Sequence, residues 1–214
     1  MVKKKLTEIL PVIILFILSF SPIFWYKPDS IIGGADSSLP LNYEIYLKRG
    51  TFAWYENINT GKNMVVRTSK LPEYMLMKLI SVINLSANKT EIIYFSLIIF
   101  GILFSYYFFV KQILNEEAKG VKILIPLLGS VLYFFNFFSI TRWEGFDRPI
   151  FSIAIAVPLI LGFTLKNFKK ETWSNYLFIG FSSIIFSGAV DNPPSFLTGV
   201  FIVVFFYFYF LIVS

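Results

Sequence analysis

Three short polar stretches hold the side chains of this chain that could do chemistry. The first is Gly33-Gly34-Ala35-Asp36-Ser37-Ser38, where a carboxylate follows a flexible glycine turn. Asp36 in that setting can take a proton as a general base or bind a divalent cation. It can equally be a solvated loop residue or, with two serines behind it, a helix cap. The second stretch is Arg142-Trp143-Glu144-Gly145-Phe146-Asp147-Arg148, with four charges and two aromatic rings between apolar runs. Arginine pairs bidentately with carboxylate or phosphate, and the rings can stack on a sugar or lie among lipid headgroups. Local salt bridging with interfacial anchoring is the plainer alternative. The third is Asp191-Asn192-Pro193-Pro194, whose prolines stop a preceding helix and hold two polar side chains in a tight turn. Its plainer reading is a turn between hairpin helices.

What is missing narrows the chemistry further. The chain has no Cys and no His. Disulfide and thiol chemistry are therefore excluded, and so are the commonest general base and the commonest transition-metal ligand. No Gly-rich phosphate loop, nucleophile elbow or metal-ligand cluster is present, which argues against ATP-driven work on the cytoplasmic side. Acid–base catalysis falls to carboxylates, Lys or Tyr.

The elements that must position these stretches are apolar. Of 214 residues, 56% are hydrophobic, 20% aromatic and only 15% charged, against about 25% charged in soluble domains. Mean hydropathy is +0.69, so lipid is the expected solvent. The formal charge of +6 does not point to nucleic acid, because the basic residues lie between apolar runs. Six membrane spans are expected, at Ile9–Tyr26, Ile92–Val110, Ile123–Ile140, Ile150–Leu165, Tyr176–Val190 and Phe196–Val213. The first has a basic start and an aromatic end at Phe24-Trp25-Tyr26 and no small-residue cleavage site, and so reads as an uncleaved signal anchor. The expected fold class is all-α: a polytopic membrane helical bundle, residues 1–214 forming a single membrane domain.

Lysine placement orients the bundle. With the N-terminus in the cytoplasm, the inner segments carry Lys3, Lys4, Lys5, Lys111, Lys119, Lys122, Lys166, Lys169 and Lys170. This is the positive-inside pattern. Three regions then face outward: the long first loop over residues 27–91, the turn Thr141–Pro149 and the turn around Asp191. The first loop holds two amphipathic stretches. One runs through Leu41, Ile45 and Leu47. The other follows Leu71-Pro72 with Leu76, Leu79, Ile80 and Ile83 at helical spacing. Too short to span, the second is expected as an interfacial or re-entrant helix. Asn136, inside the third span, is expected to face the bundle, with Ser182, Ser183, Ser187 and Gly188 as close-packing partners. Asn84-Leu85-Ser86 and Asn88-Lys89-Thr90 match glycosylation acceptors.

This order of parts resembles the GT-C superfamily of integral-membrane glycosyltransferases, which use polyprenyl-phosphate sugar donors. The closer likeness is to arabinofuranosyltransferase-like membrane proteins. The matching parts are Asp36 soon after the first span, the Trp- and Gly-containing stretch Trp54–Asn63, the Leu-Pro interfacial helix in Leu71–Leu85, the polar turn ending Tyr133–Arg148, and the Asn-Pro turn in Gly188–Pro194. The likeness covers nearly all of this chain but only the N-terminal portion of such enzymes, and so implies that the chain is part of a larger protein.

The resemblance implies an enzyme of the plasma membrane that transfers a sugar from a polyprenyl-phosphate donor to a cell-envelope glycan or lipid-linked acceptor at the outer face. Asp36 would deprotonate the acceptor, Arg142 or Arg148 would hold the lipid phosphate, and Glu144, Asp147 and Asn192 would contact sugar hydroxyls. Many members pair two acidic residues in the first outer loop. Here serines follow Asp36, so no metal and no other cofactor is expected. The implied partners are membrane lipid, donor, acceptor and a further C-terminal part or subunit, with no nucleic acid. The competing readings are a non-catalytic membrane subunit and a lipid-linked sugar transporter or flippase. The spans hold no charged residue, whereas transporters place ionisable groups at mid-bilayer.

Overall fold

The computed structural model describes residues 2–24, 27, 30, 45, 47–48, 51, 54–55, 62–63, 69–114, 121–136 and 148–213. Helix α1 (Val2–Ser19) runs into a 3-10 turn at Ser21–Phe24. In the long loop, β1 (Trp54–Tyr55) pairs antiparallel with β2 (Lys62–Asn63), Trp54 standing opposite Asn63. There follow α2 (Leu71–Ser81), α3 (Ala87–Ile113), α4 (Val121–Phe134), α5 (Arg148–Lys169) and α6 (Trp173–Phe186). A 3-10 turn at Ser187–Asp191 leads into α7 (Pro193–Val213). Apart from the one short strand pair, the described fold is all-α.

Element ends follow local chemistry. Pro72 and the Pro193-Pro194 pair sit in the first turns of α2 and α7, where a missing N–H costs nothing. Thr172 caps α6, its side-chain oxygen accepting from Asn175 N at 3.4 Å. Between α2 and α3, Asn84 takes φ 54°, a left-handed conformation that Asn tolerates better than most residues. In the first amphipathic stretch Ile45, Leu47 and Lys48 are helical. Thr51 closes it, N donating to Leu47 O at 3.2 Å and Oγ1 to Lys48 O at 2.7 Å.

Four helical segments are long and apolar enough to cross a membrane: Ala87–Ile113, Ile150–Lys169, Trp173–Val190 and Pro193–Phe210. That number marks a multi-pass membrane protein. The other two expected spans correspond to shorter apolar helices, Ile9–Phe24 and Ile123–Phe134.

Helices α3 and α5 form the centre. α3 packs on α1, α2, α4 and α5, and α5 packs on α3, α6 and α7. Leu15, Met77, Phe95, Ile99 and Leu103 are fully buried in the core around α3. Gly162 sets the closest approach: a Cβ there would stand 2.7 Å from Phe108 Cε1 and 3.3 Å from the Phe109 Cα. Small residues at such contacts let membrane helices gain packing that lipid does not supply.

Inside α5, Pro158 offers no N–H to the Ala154 carbonyl one turn earlier. Two neighbouring helices fill the gap. Tyr133 OH of α4 stands 3.3 Å from Ala154 O, and so does Ser105 Oγ of α3, which shares its one proton with Ile102 O at 2.9 Å. The Tyr133 ring stacks on Tyr106 at 4.3 Å between centroids, which fixes the hydroxyl. A proline is tolerated in a membrane helix when neighbours satisfy the freed carbonyl in this way.

The outer helices are different. Only 17% of the apolar window containing α6 and 6% of that of α7 is buried. Leaving rings such as Phe201, Phe205 and Phe208, 57%, 69% and 58% exposed, in water would forgo about 1.5–3 kcal/mol each. Helices apolar all round therefore belong in lipid. α7 is fastened to α5 by Thr164 Oγ1 and Tyr207 OH, 3.0 Å apart, and by stacked Phe168 and Phe210 rings.

The expected packing of serines around Asn136 is replaced by local bonding. Ser182, Ser183 and Ser187 donate to Phe178 O, Ile179 O and Ile184 O of their own helix at 2.8, 3.0 and 2.6 Å. This satisfies each hydroxyl without a partner helix. Asn136 Nδ2 donates to Tyr133 O.

Candidate functional site

At the end of the bundle where α3 and α5 begin and α6 finishes, five elements leave a cavity of about 250 Å³. α2 covers it, α3 between Tyr94 and Gly101 and α5 between Phe151 and Ile155 form its walls, and the end of α6 with the Ser187–Asp191 turn closes one side. The lining is chiefly apolar, with Tyr94, Leu97 and Ile98 from α3, Phe151 and Ile155 from α5 and Ile185 from α6. Polar groups come from Ser69, Lys70 and Glu73 at the start of α2 and from Ser152 on α5. Gly188 allows the turn to press on α5: a Cβ there would stand 2.7 Å from Ser152 Oγ. The cavity suits a small apolar group with a polar attachment, since ligand sites combine apolar walls with a few placed polar groups.

The cover is apolar on two sides. Tyr74, Met77 and Ile80 of α2 are buried against the bundle, while Met75, Leu79, Val82 and Ile83 are 58%, 68%, 75% and 64% exposed. The stripe expected from the sequence is thus split, Ile80 pointing inward and Leu79 and Ile83 outward. A helix set between a protein core and lipid needs apolar residues on both sides.

Of the residues singled out by sequence, Asp36, Arg142, Glu144 and Asp147 lie outside the described residues. Arg148 is the first residue of α5, one turn before the cavity-lining Phe151 and Ser152; its side chain is outside the described part. Asn192 joins the Ser187–Asp191 turn to α7. Its N donates to Ala189 O at 3.0 Å, and its Oδ1 accepts from Ser195 N at 3.4 Å, the geometry of an N-cap. Arg148 and Asn192 therefore share the cavity end of the bundle.

Two features escaped sequence reasoning. The first is Glu91. It lies one turn inside α3, only 3% exposed, on the stripe that continues through Tyr94, Ile98 and Gly101 into the cavity wall. Extending the helical spacing of the third-helix apolar run backward by one turn would have found it. The second is Asn88, whose Nδ2 donates to Ser30 O across 58 residues of chain. The Asn88-Lys89-Thr90 acceptor pattern is thus built into a helix start, with Thr90 2% exposed and its Oγ1 donating to Ser86 O. Among the described residues, no group of three or more His, Cys, Asp or Glu could hold a metal ion.

No protein-family model, curated protein or solved structure matches the chain.

Proposed function

We propose that this protein is a membrane glycosyltransferase, or the N-terminal part of one, that transfers a sugar from a polyprenyl-phosphate donor to a cell-envelope acceptor at the outer face of the plasma membrane. In this reading Ile9–Phe24 and Ile123–Phe134 join the four longer segments as a six-pass bundle with a cytoplasmic N-terminus. The inner segments then carry nine lysines against four acidic residues, and the outer segments ten basic residues against nine acidic. The observation that carries the reading is the position of the cavity. It lies at the end reached by the first loop, by Arg148 and by the Asn192 turn, and away from Lys111, Lys166, Lys169 and Lys170. Its apolar walls fit the first part of a lipid chain, while the charged stretches beyond would meet phosphate and sugar.

The chemistry is a displacement at the anomeric carbon. The acceptor hydroxyl gives its proton to Asp36 and its oxygen bonds to the anomeric carbon. The bond from that carbon to the phosphate oxygen breaks, and polyprenyl phosphate leaves with the electron pair. Arg142 or Arg148 stabilises the charge gathering on the phosphate, a term that is commonly the largest in catalysis. Glu144, Asp147 and Asn192 hold sugar hydroxyls. Asp36→Asn, expressed to the same level in membranes and supplied with polyprenyl-phosphate sugar, is expected to lose transfer by about 100-fold or more. Undiminished transfer sinks the assignment of the base.

The predominantly apolar lining of the cavity also favours a second reading, a non-catalytic subunit that holds a lipid-linked sugar for another protein. It requires donor binding to survive Asp36→Asn with no transfer by the chain in any form.

A further inference from the structure

The opposite end of the bundle gathers cations. Lys111 lies in the last turn of α3, and Lys166 and Lys169 in the last turn of α5. Lys170 N still donates to Lys166 O at 3.1 Å, so these two lysines stand one turn apart on the same side. Lys169 Nζ donates to Gln112 O and so ties the ends of α3 and α5 together. The ammonium of Lys111 is 5.9 Å from the Tyr107 ring centroid, and that of Lys166 is 5.9 Å from Phe163. Phe163 packs on Phe108 and Phe178 with centroids 4.6 and 4.8 Å apart, so α3, α5 and α6 meet beneath Lys166.

The lysine stems therefore run along aromatic rings and present their charges where the apolar surface ends, the arrangement of side chains that snorkel to a headgroup layer. Trp173 and Phe178 of α6, 77% and 48% exposed, lie at the same end of the bundle. The described acid at this end is Glu171, whose Oε1 already accepts from Tyr176 OH at 2.7 Å. Lys169 reaches across to the Gln112 carbonyl of α3, and Lys166 and Lys170 stay exposed at the end of α5 with no acidic partner among the described residues.

We infer that Lys111, Lys166 and Lys170 form a binding site for the phosphate of an anionic phospholipid, its acyl chains lying along the exposed ring of Phe178. Basic pockets between membrane helices select anionic headgroups by charge, and each lysine near such a surface strengthens binding about five-fold. The site is separate from the proposed reaction, so its failure leaves that reading untouched.

The test uses the full chain in nanodiscs of phosphatidylcholine containing a minor fraction of phosphatidylglycerol, with the lipids retained on delipidation counted by native mass spectrometry. The unaltered chain is expected to enrich phosphatidylglycerol. The pair Lys166→Gln with Lys170→Gln should lower that enrichment about 25-fold at two lysines, and Lys166→Arg with Lys170→Arg should keep it. Lys78→Gln with Lys89→Gln, at the other end, should leave it unchanged. Equal enrichment in the first pair, or equal loss in the control pair, overturns the site. If the glutamine variants do not fold, a salt titration of the unaltered chain decides. Enrichment must fall as ionic strength rises, and salt-independent enrichment refutes a charge-selected site.

Discussion

The strongest quantitative consequence of the fold concerns the Ala154 carbonyl. Pro158 removes its helical donor, and Ser105 Oγ and Tyr133 OH approach it at 3.3 Å from two other helices. That distance exceeds the usual O–H···O range of about 2.5–3.0 Å, so each contact alone is weak. Interhelical hydrogen bonds in membrane proteins average about 0.6 kcal/mol. Tyr133→Phe, which keeps the ring stack on Tyr106, should cost about that much, and Ser105→Ala less, since the serine proton is shared with Ile102 O at 2.9 Å. The double variant differs in kind, because the carbonyl is then left without any donor inside lipid. An orphaned buried acceptor costs about 1–3 kcal/mol, so the double variant should lose at least about 1 kcal/mol more than the two single losses together. Pro158→Ala supplies the missing N–H, and in that background the excess should vanish. Reversible unfolding in mixed micelles gives all of these differences on one scale. Strict additivity, or an excess that persists undiminished when Pro158→Ala is added, refutes the argument.

Other predictions follow from the same packing. Because the chain has no Cys, single cysteines report topology cleanly: Ser69→Cys should react with a membrane-impermeant maleimide from outside intact cells, and Lys170→Cys only after permeabilisation. Gly162→Ala should cost about 1–3 kcal/mol by overpacking, since the Phe109 backbone blocks the new methyl group. Gly180→Ala, with nothing within 4 Å, should gain slightly from helix propensity; thermal unfolding in detergent measures both. Expression in a glycosylating host should leave Asn88 unmodified by mass, and Asn88→Ala should cost about 1 kcal/mol through its lost bond to Ser30.

The helices were legible because lipid demands long apolar runs, and such runs survive without any knowledge of neighbours. Hydropathy places α3 from Ile92 to Val110, and the helix extends from Ala87 to Ile113. The extra first turn contains Asn88 and Glu91, polar residues that hydropathy assigns to a loop and that the fold builds into a helix start. Which way each helix faces was much less legible. Periodicity separates core from water, but on α2 it cannot separate core from lipid, since Met77 and Leu79 are equally apolar and face opposite ways. The serines of α6 misled for a related reason: a hydroxyl in lipid is satisfied as well by its own helix as by another. The cavity depends on contacts of α2 with α3 and of Gly188 with Ser152, pairings between separate elements that no local pattern encodes.

The bond from Asn88 to Ser30 has an evolutionary consequence. It joins the two ends of the first long loop at the mouth of the bundle, so the loop behaves as a cassette plugged into a fixed socket. Residues inserted or deleted between Ser30 and Ser69, before α2 enters the core, would alter what the cassette presents without moving the helices that hold it. The entropic cost of such changes is small, about 0.6 kcal/mol for each doubling of loop length. Variation in specificity among descendants of this chain should therefore concentrate between Ser30 and Ser69, while α2 and the helices on either side stay constant in length.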